Sequence, residues 1–184
     1  MTLLSSAHLS FSTTFARGVE GINTQGQVAE PSFNRQSVQA KRGRHLLNDK
    51  QYEAALHWYR QAVIDDPDSA EAWHGQGEAL ASLGSYGDAL ISLNRAIELH
   101  STVSNYWITQ AVVLIHLHDY LGALDSCERA LAIEPGNREA WLFHGSALQR
   151  LGRYRDAYAS FDKAAGVQRQ SLSQKVAGLF SHWL

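Results

Sequence analysis

Gly75 and Gly77, separated by one glutamine, could begin a phosphate-binding loop. A dinucleotide-binding fingerprint needs a third glycine three residues after the second, between a strand and the helix that follows it. Leu80 occupies that place, and the apolar residues around both glycines have helical spacing. We therefore predict that these glycines allow helices to pack closely and do not bind a nucleotide.

The sequence contains nine histidines, which could supply metal ligands or a general base. His116 and His118 lie nearest to each other, but residues two apart on a helix point in divergent directions and chelate a metal poorly. No serine or carboxylate pairing stands out as a nucleophile with its base. We predict no catalytic residue, no metal site and no cofactor, so the protein is not expected to be an enzyme.

Charge and hydropathy exclude some classes of partner. With 16 basic and 18 acidic residues, the chain has no overall electrostatic attraction to nucleic acid or to an anionic membrane. No run approaches the roughly 18 apolar residues of a spanning helix. The single cysteine cannot form an internal disulfide, which suits a reducing compartment. We expect a cytoplasmic protein that does not enter a membrane.

Residues 1–35 are expected to form a disordered or weakly ordered N-terminal tail. Their start lacks the positive segment and the continuous apolar stretch of a secretory signal. It is rich in serine and threonine and has no acidic residue before Glu20, as in organellar transit peptides. Organellar targeting therefore stays the alternative to a plain tail.

The dominant feature of the sequence is a repeat of 34 residues. Aromatic and small residues recur at this step in several columns. The columns are Tyr52, Tyr86, Tyr120 and Tyr154; Ala55, Ala89, Ala123 and Ala157; Ala62, Ala96, Ala130 and Ala164; Trp73, Trp107 and Trp141; and Gly43, Gly77 and Gly145. The repeat divides the chain into four units, 36–69, 70–103, 104–137 and 138–171.

Each unit contains two segments with helical spacing. In the second unit, apolar and small residues from Trp73 to Leu80 follow the i, i+3, i+4, i+7 pattern of one helix face. Pro67, between two aspartates, predicts a turn before this helix. Ser85 followed by Asp88 predicts a capping box at the start of the next helix. The unit therefore reads as helix, turn, helix.

This pattern resembles the tetratricopeptide repeat family, whose 34-residue signature places W, L-G and Y on the first helix and A-x3-F on the second. The second unit supplies Trp73, Gly77, Ala89, Leu93 and Ala96. The resemblance implies an all-α, right-handed α-solenoid of four helix-turn-helix repeats. The apolar stripe in residues 172–184 predicts a C-terminal capping helix, because the last repeat of a solenoid needs a cover.

The sequence departs from the family pattern at several columns. The leucine column holds polar residues, which predicts a polar, partly hydrated seam between helices: Arg42, Gln76, Gln110 and His144. Gln39 stands where the other units have tryptophan, so the first repeat is expected to be the weakest. Cys127 takes the place of Leu93 and Phe161 and is predicted to be a small buried hydrophobe.

The resemblance implies that the first helix of each unit lines a concave surface on which positions 2, 5, 9 and 12 face a partner. From these positions we predict a partner-binding groove formed by His74, Glu78, Asn105, Ile108, Val112, Ile115, Glu139 and Leu142. In the third unit three of these residues, Ile108, Val112 and Ile115, are apolar, and Leu142 is expected beside them. This part of the groove should therefore hold an apolar anchor of a peptide or helix. The polar members should form the rim.

Chaperone-binding members of the family grip a terminal carboxylate with lysines and asparagines at fixed positions. In one register these positions hold Ala40, Arg44, Gly75, Asn105 and Thr109, and in the other they hold His74, Glu78, Thr109, Glu139 and Phe143. Neither set supplies the clamp. We expect no binding of chaperone C-termini.

The sequence thus predicts a non-enzymatic module for protein–protein interaction, such as an adaptor, a scaffold or an assembly factor. Two alternatives remain open. One is an RNA-binding helical repeat, whose affinity would fall steeply with salt. The other is an enzyme with an unrecognised histidine-containing site in the groove.

Overall fold

The computed structural model describes residues 32–167. This part of the chain consists of α-helices and contains no strand. The helices are α1 (Ser32–Asn48), α2 (Tyr52–Asp65), α3 (Ala70–Ser82), α4 (Tyr86–Leu99), α5 (Ser104–His116), α6 (Tyr120–Ile133), α7 (Arg138–Arg150) and α8 (Tyr154–Ala165). The predicted all-α arrangement of helix pairs is confirmed. α1 begins before residue 36, inside the predicted tail, and the predicted capping helix lies outside the described residues.

Every helix packs against the helices that precede and follow it in the chain. In addition, α1 contacts α3, α3 contacts α5, and α5 contacts α7, whereas within residues 32–167 none of α2, α4, α6 and α8 contacts another of these four. The stack is therefore tighter on the side of the odd-numbered helices and curves towards them. We call α1, α3, α5 and α7 the inner helices and the other four the outer helices.

The glycine column allows the two helices of a repeat to approach each other. A Cβ atom on Gly77 would lie 2.7 Å from Cγ of Leu93, and one on Gly145 would lie 2.6 Å from Cε1 of Phe161. Gly75 instead packs against the preceding repeat, because a Cβ atom there would approach the ring of Tyr59 on α2 to 2.2 Å. Both Gly75 and Gly77 lie inside α3. The prediction that they serve helix packing is confirmed.

The tryptophan column fixes the turns between repeats. The indole Nε1 of Trp73 donates a hydrogen bond of 2.8 Å to the carbonyl oxygen of Pro67, six residues earlier. Trp107 and Trp141 make the equivalent bonds, of 2.8 and 2.9 Å. Each tryptophan therefore ties the first helix of its own repeat to the turn that leads into it.

Several helices begin at a side-chain cap. Ser69, Asp119 and Asn137 each accept a hydrogen bond from the backbone N–H three residues later. The capping box predicted at Ser85 is wrong, because its side chain makes no capping hydrogen bond. The Ser85 backbone, with φ −83° and ψ 62°, is close to that of the capping Asp119, with φ −85° and ψ 76°, so its conformation does not explain the missing bond.

The turn inside each repeat uses the left-handed backbone conformation at the same position. Gly84 and Gly152 adopt φ values of 79° and 75°, whereas Lys50 and His118 adopt 59° and 61°. Glycine enters this region without steric cost, but a residue with a Cβ atom is strained there. Two of the four turns therefore carry strain.

No helix within residues 32–167 is long and apolar enough to cross a membrane.

Candidate functional site

The residues at the fifth position of each repeat differ in exposure, because neighbouring repeats cover the inner helices. Ala40, His74 and Ile108 are 8 %, 7 % and 3 % exposed, whereas Leu142 is 47 % exposed. Ile108 packs in one cluster with Ala140 on the next inner helix. The sequence expectation that Ile108 faces a partner is therefore corrected, because the following repeat buries this position.

Leu142 is exposed because α7 is the last inner helix of the described part. It lines a cavity of about 530 Å³ together with Arg138, Phe161 and Ala164. This cavity lies at the α7–α8 end of the stack. The structure thus places Leu142 on the end face and not in the apolar row beside Val112.

A pocket of about 260 Å³ with apolar and polar walls opens between the inner helices α5 and α7. Val112, Ile115 and Phe143 supply its apolar wall, and its polar lining comes from His116, Ser146, Gln149 and Arg150. We call it the inner pocket. The structure brings the predicted residues Val112 and Ile115 together here, and adds Phe143. The sequence prediction took positions 2, 5, 9 and 12 as the groove and therefore missed Phe143, which holds position 6. That position does belong to the chaperone-clamp pattern of the family.

The other predicted groove residues are polar. Asn105 and Glu139 are exposed, and Glu78 is partly buried. Beside them, the guanidinium of Arg44 forms an ion pair with the carboxylate of Glu71. The inner surface is thus polar towards α1 and α3 and apolar between α5 and α7.

His74 lies at the floor of the polar part. Its ring stacks on Tyr106 with centroids 4.6 Å apart and an angle of 26° between the planes. Its Nε2 lies 3.0 Å from Oγ1 of Thr109, and its Nδ1 lies 3.6 Å from Oε2 of Glu78. Burial, together with the charge of Arg44, lowers the pKa of His74 from 6.5 to about 4. The imidazole is therefore neutral near pH 7.

Glu78 is the acidic neighbour of this histidine. Burial raises the pKa of its carboxyl above the ordinary value, the Arg44 charge opposes that rise, and the Glu139 carboxylate adds to it. Glu139 belongs to α7, whereas Glu78 belongs to α3. Glu139 lines the cavity at the α7–α8 end together with Leu142.

The predicted polar seam lies between inner and outer helices. Gln110 donates to Asn94 at 2.7 Å and accepts from Ser126 at 2.8 Å. In the next repeat, His144 takes the place of Gln110, and its Nδ1 lies 2.9 Å from Oγ of Ser160. Gln110 thus links its own repeat to the preceding one, whereas His144 bonds within its own repeat and Oε1 of Gln76 is buried without a partner among the described residues.

Ser160, His144 and Glu128 meet in an outer cleft of about 510 Å³, which raises the question of a nucleophile and its base. Ser160 donates its hydroxyl hydrogen to the carbonyl oxygen of Asp156 at 3.0 Å. To act as the general base, His144 would have to accept this hydrogen in place of the Asp156 carbonyl. Nε2 of His144 also lies 3.9 Å from Glu128, beyond hydrogen-bond distance. This trio does not have the geometry of a catalytic triad.

The remaining candidate ligands and nucleophiles contact neighbouring side chains of the fold or are buried. His116 stacks on Tyr86, and Nδ1 of His118 lies 2.8 Å from the Tyr120 hydroxyl. Within residues 32–167, no three His, Cys, Asp or Glu side chains come together as a metal site. Cys127 is 0 % exposed, and burial raises the pKa of its thiol to about 12. It is a buried hydrophobe, as the sequence predicts.

Solved structures of repeat proteins share this fold. MamA has 24% identity and a TM-score of 0.66, over 71% of this chain and 77% of MamA. YrrB, described as a TPR protein with an unusual peptide-binding site, has 22% identity and a TM-score of 0.61, over 70% of this chain and 66% of YrrB. The first TPR of Spaghetti (RPAP3), bound to the HSP90 peptide SRMEEVD, has 21% identity and a TM-score of 0.63, over 65% of this chain and 94% of that domain.

The family assignment comes from the sequence itself. No curated protein matches the chain at a significant level. The tetratricopeptide repeat model matches residues 40–103 and 108–171, which together cover more than half of the chain. Its boundaries agree with the 34-residue columns and with the helix pairs. The chain belongs to the tetratricopeptide repeat family.

Proposed function

We propose that this chain is a non-enzymatic interaction module that binds a peptide or helix of another protein on the surface of its inner helices. The observation that carries the proposal is the inner pocket, where Val112, Ile115 and Phe143 leave apolar surface open between α5 and α7. Apolar surface in a concave site commonly marks a binding site. A pocket of about 260 Å³ has room for one large side chain of a partner.

Two similar proteins support this kind of function. YrrB is described as having a peptide-binding site, and the RPAP3 domain is bound to a peptide. A row of inner helices offers a continuous surface on which an extended peptide or a helix can lie. Roles as an adaptor, a scaffold or an assembly factor all need such a surface.

The predicted alternatives have less support. An RNA-binding surface would need a basic stripe with exposed stacking platforms, but Trp73, Trp107 and Trp141 are packed against buried core clusters. An enzyme would need a nucleophile, a base and a group that orients the base, but the carboxylates beside His74 and His144 lie 3.6 and 3.9 Å from the ring nitrogens, beyond hydrogen-bond distance. A cytoplasmic location, with organellar targeting as the alternative, stays a prediction of the sequence.

The test is affinity capture with matched surface variants. The full chain is compared with Val112→Ala/Ile115→Ala, which opens the inner pocket, and with Ile91→Ala, which removes an apolar side chain on α4 that is 67% exposed. We expect a partner that the wild type and Ile91→Ala retain and the double variant loses. A partner that all three proteins retain equally would place the binding site elsewhere.

A further inference from the structure

The polar seam closes the space between the outer helices α4 and α6. Gln110 on α5 donates to Oδ1 of Asn94 at 2.7 Å and accepts from the hydroxyl of Ser126 at 2.8 Å. Asn94 belongs to α4 and Ser126 to α6. A carboxamide of the chain itself therefore bridges these two outer helices.

The outer cleft, between α6 and α8, lacks the equivalent bridge. Glu128, His144 and Ser160 each stand 34 residues after their counterparts in the closed space. His144 reaches Ser160, but its Nε2 lies 3.9 Å from Oε1 of Glu128, too far for a hydrogen bond. The outer cleft keeps a volume of about 510 Å³. The replacement of a carboxamide by an imidazole thus leaves the contact to α6 unmade.

The charges that line the outer cleft are balanced. The guanidinium of Arg153 donates to the carboxylate of Asp156 at 3.0 and 2.8 Å. Nζ of Lys163 lies 3.9 Å from the centroid of the Trp141 ring, and Glu128 lines the α6 side. Two cations and two carboxylates therefore line the described part of the cleft. An anionic ligand would meet Glu128 and a cationic ligand would meet Lys163, so the cleft favours a neutral polar group.

The imidazole at the base of the cleft suits a hydroxyl group. Burial lowers the pKa of His144 below its ordinary value; Glu128 opposes this effect, and the charges of Lys163 and Arg153 add to it. The ring is therefore neutral near pH 7, with one nitrogen that donates and one that accepts. A hydroxyl both donates and accepts, so it can bond Nε2 in either tautomer. When Nε2 carries the hydrogen, the hydroxyl accepts it and donates its own to Glu128.

Apolar side chains supply the rest of the lining. Leu124, Leu131 and Leu148 line the cleft and are themselves almost buried. Trp141 adds an aromatic wall. A ligand that covers this surface and also presents a neutral hydroxyl combines an aromatic ring with an O–H group. Tyrosine has both, whereas serine and threonine lack the ring and phenylalanine lacks the hydroxyl.

We propose that the outer cleft binds a tyrosine side chain of a partner protein, with its ring against the leucines and its hydroxyl between His144 and Glu128. This site lies between outer helices, apart from the inner pocket, and goes beyond the proposed function. It also discriminates against phosphotyrosine, because the phosphate would bring negative charge against Glu128.

The first test titrates N-acetyltyrosinamide into the nitrogen-15-labelled full chain and follows the backbone amides by NMR. We expect saturable shifts in α6, α7 and α8 around His144. N-acetylphenylalaninamide should bind about fivefold more weakly, the loss of one hydrogen bond. N-acetylphosphotyrosinamide should also bind more weakly than the tyrosine probe.

A double variant tests the comparison of the two spaces. Glu128→Asn/His144→Gln copies the pair Asn94 and Gln110, so its carboxamide should bridge α6 and α8 and abolish the shifts. Glu98→Asn, which removes an exposed carboxylate on α4, should bind the probe as the wild type does. Circular dichroism confirms that each variant is folded. A folded double variant with unchanged affinity would overturn the proposal.

The other outcomes also decide. Shifts confined to Val112, Ile115 and Phe143 would assign the tyrosine probe to the inner pocket, which overturns the outer site and leaves the proposed function standing. The absence of saturable shifts in the full chain, as when residues 168–184 already cover the cleft, would overturn it too. Equal affinities for the tyrosine and phenylalanine probes would remove the role of the hydroxyl and, with it, the proposed specificity.

Discussion

Gly77 lies against Leu93 so closely that a Cβ atom on the glycine would be 2.7 Å from Cγ of the leucine. The two residues belong to α3 and α4, the helices of one repeat. Leu93 is 0 % exposed, so it has no open space into which to move. The distance between the two helices therefore depends on the absence of a side chain at position 77.

The first prediction follows from this contact. Gly77→Leu should lower the free energy of unfolding by about 2 kcal/mol or more, because overpacking outweighs the gain in helix propensity. Gly87→Leu is the matched control, since a Cβ atom at Gly87 in α4 meets nothing within 4 Å. Chemical denaturation measures both changes. Equal stability of the two variants, or a Gly77 variant that loses nucleotide affinity at an unchanged melting temperature, would contradict the packing role.

The fold could be read from the sequence because the repeat makes the same demands four times. The glycine and tryptophan columns meet similar contacts in different repeats, as the Gly77–Leu93 and Gly145–Phe161 pairs of the second and fourth repeats illustrate. The positions of the helices and turns therefore follow from periodicity alone. The left-handed turn also recurs, although only Gly84 and Gly152 signal it by residue type.

The site could be predicted only in part, because exposure depends on the neighbouring repeat and not on the repeat itself. Ile108 and Leu142 hold the same position, but the former is 3 % and the latter 47 % exposed. Residue type gives no sign of this difference. The contact between His74 Nε2 and Thr109 Oγ1 is also invisible in the sequence, since the two residues lie 35 positions apart.

The second prediction concerns the strained turns. Lys50→Gly should raise the free energy of unfolding by about 1 kcal/mol, because glycine adopts the observed φ of 59° without steric cost. Gly152→Ala, at the equivalent turn with φ 75°, should lower it by a similar amount. Thermal melts of the two variants check the opposite signs. A destabilised Lys50→Gly protein would contradict the strain.

The third prediction is a dependence of stability on pH. The pKa of His74 is about 4 in the folded chain and has its ordinary value of 6.5 when unfolded. The unfolded state therefore binds more protons between these values, so stability rises with pH from 4 to 6.5 and falls by up to about 3 kcal/mol on acidification. The raised pKa of Glu78 has the opposite sign and offsets part of this at the acidic end.

The contribution of His74 can be isolated by comparison with His74→Asn, which keeps a polar side chain but does not titrate. Urea denaturation across the same pH range should show a smaller slope for the variant than for the wild type. Identical slopes would mean that the histidine is protonated equally in both states.

The fourth prediction is that the stack opens first at its N-terminal repeat. Gln39 replaces the tryptophan of the other repeats, and its Oε1 is buried without a hydrogen-bond partner among the described residues. A terminal repeat also has only one neighbouring interface. Hydrogen exchange should therefore show residues 36–69 opening before residues 104–137. Uniform protection over the four repeats would contradict this order.

The fifth prediction compares the inner pocket with the end face, the two places where predicted groove residues lie. Val112→Ala/Ile115→Ala should weaken the binding of a peptide from the captured partner about tenfold or more, because truncating central anchors commonly costs more than about 1 kcal/mol each. Leu142→Ala should change the affinity little, since Leu142 lines a different cavity with Arg138 and Phe161. Both variants should keep the helical circular dichroism of the wild type, because none of the three residues is fully buried. The reverse pattern, with Leu142→Ala losing affinity and the double variant keeping it, would move the peptide from the groove to the end of the stack.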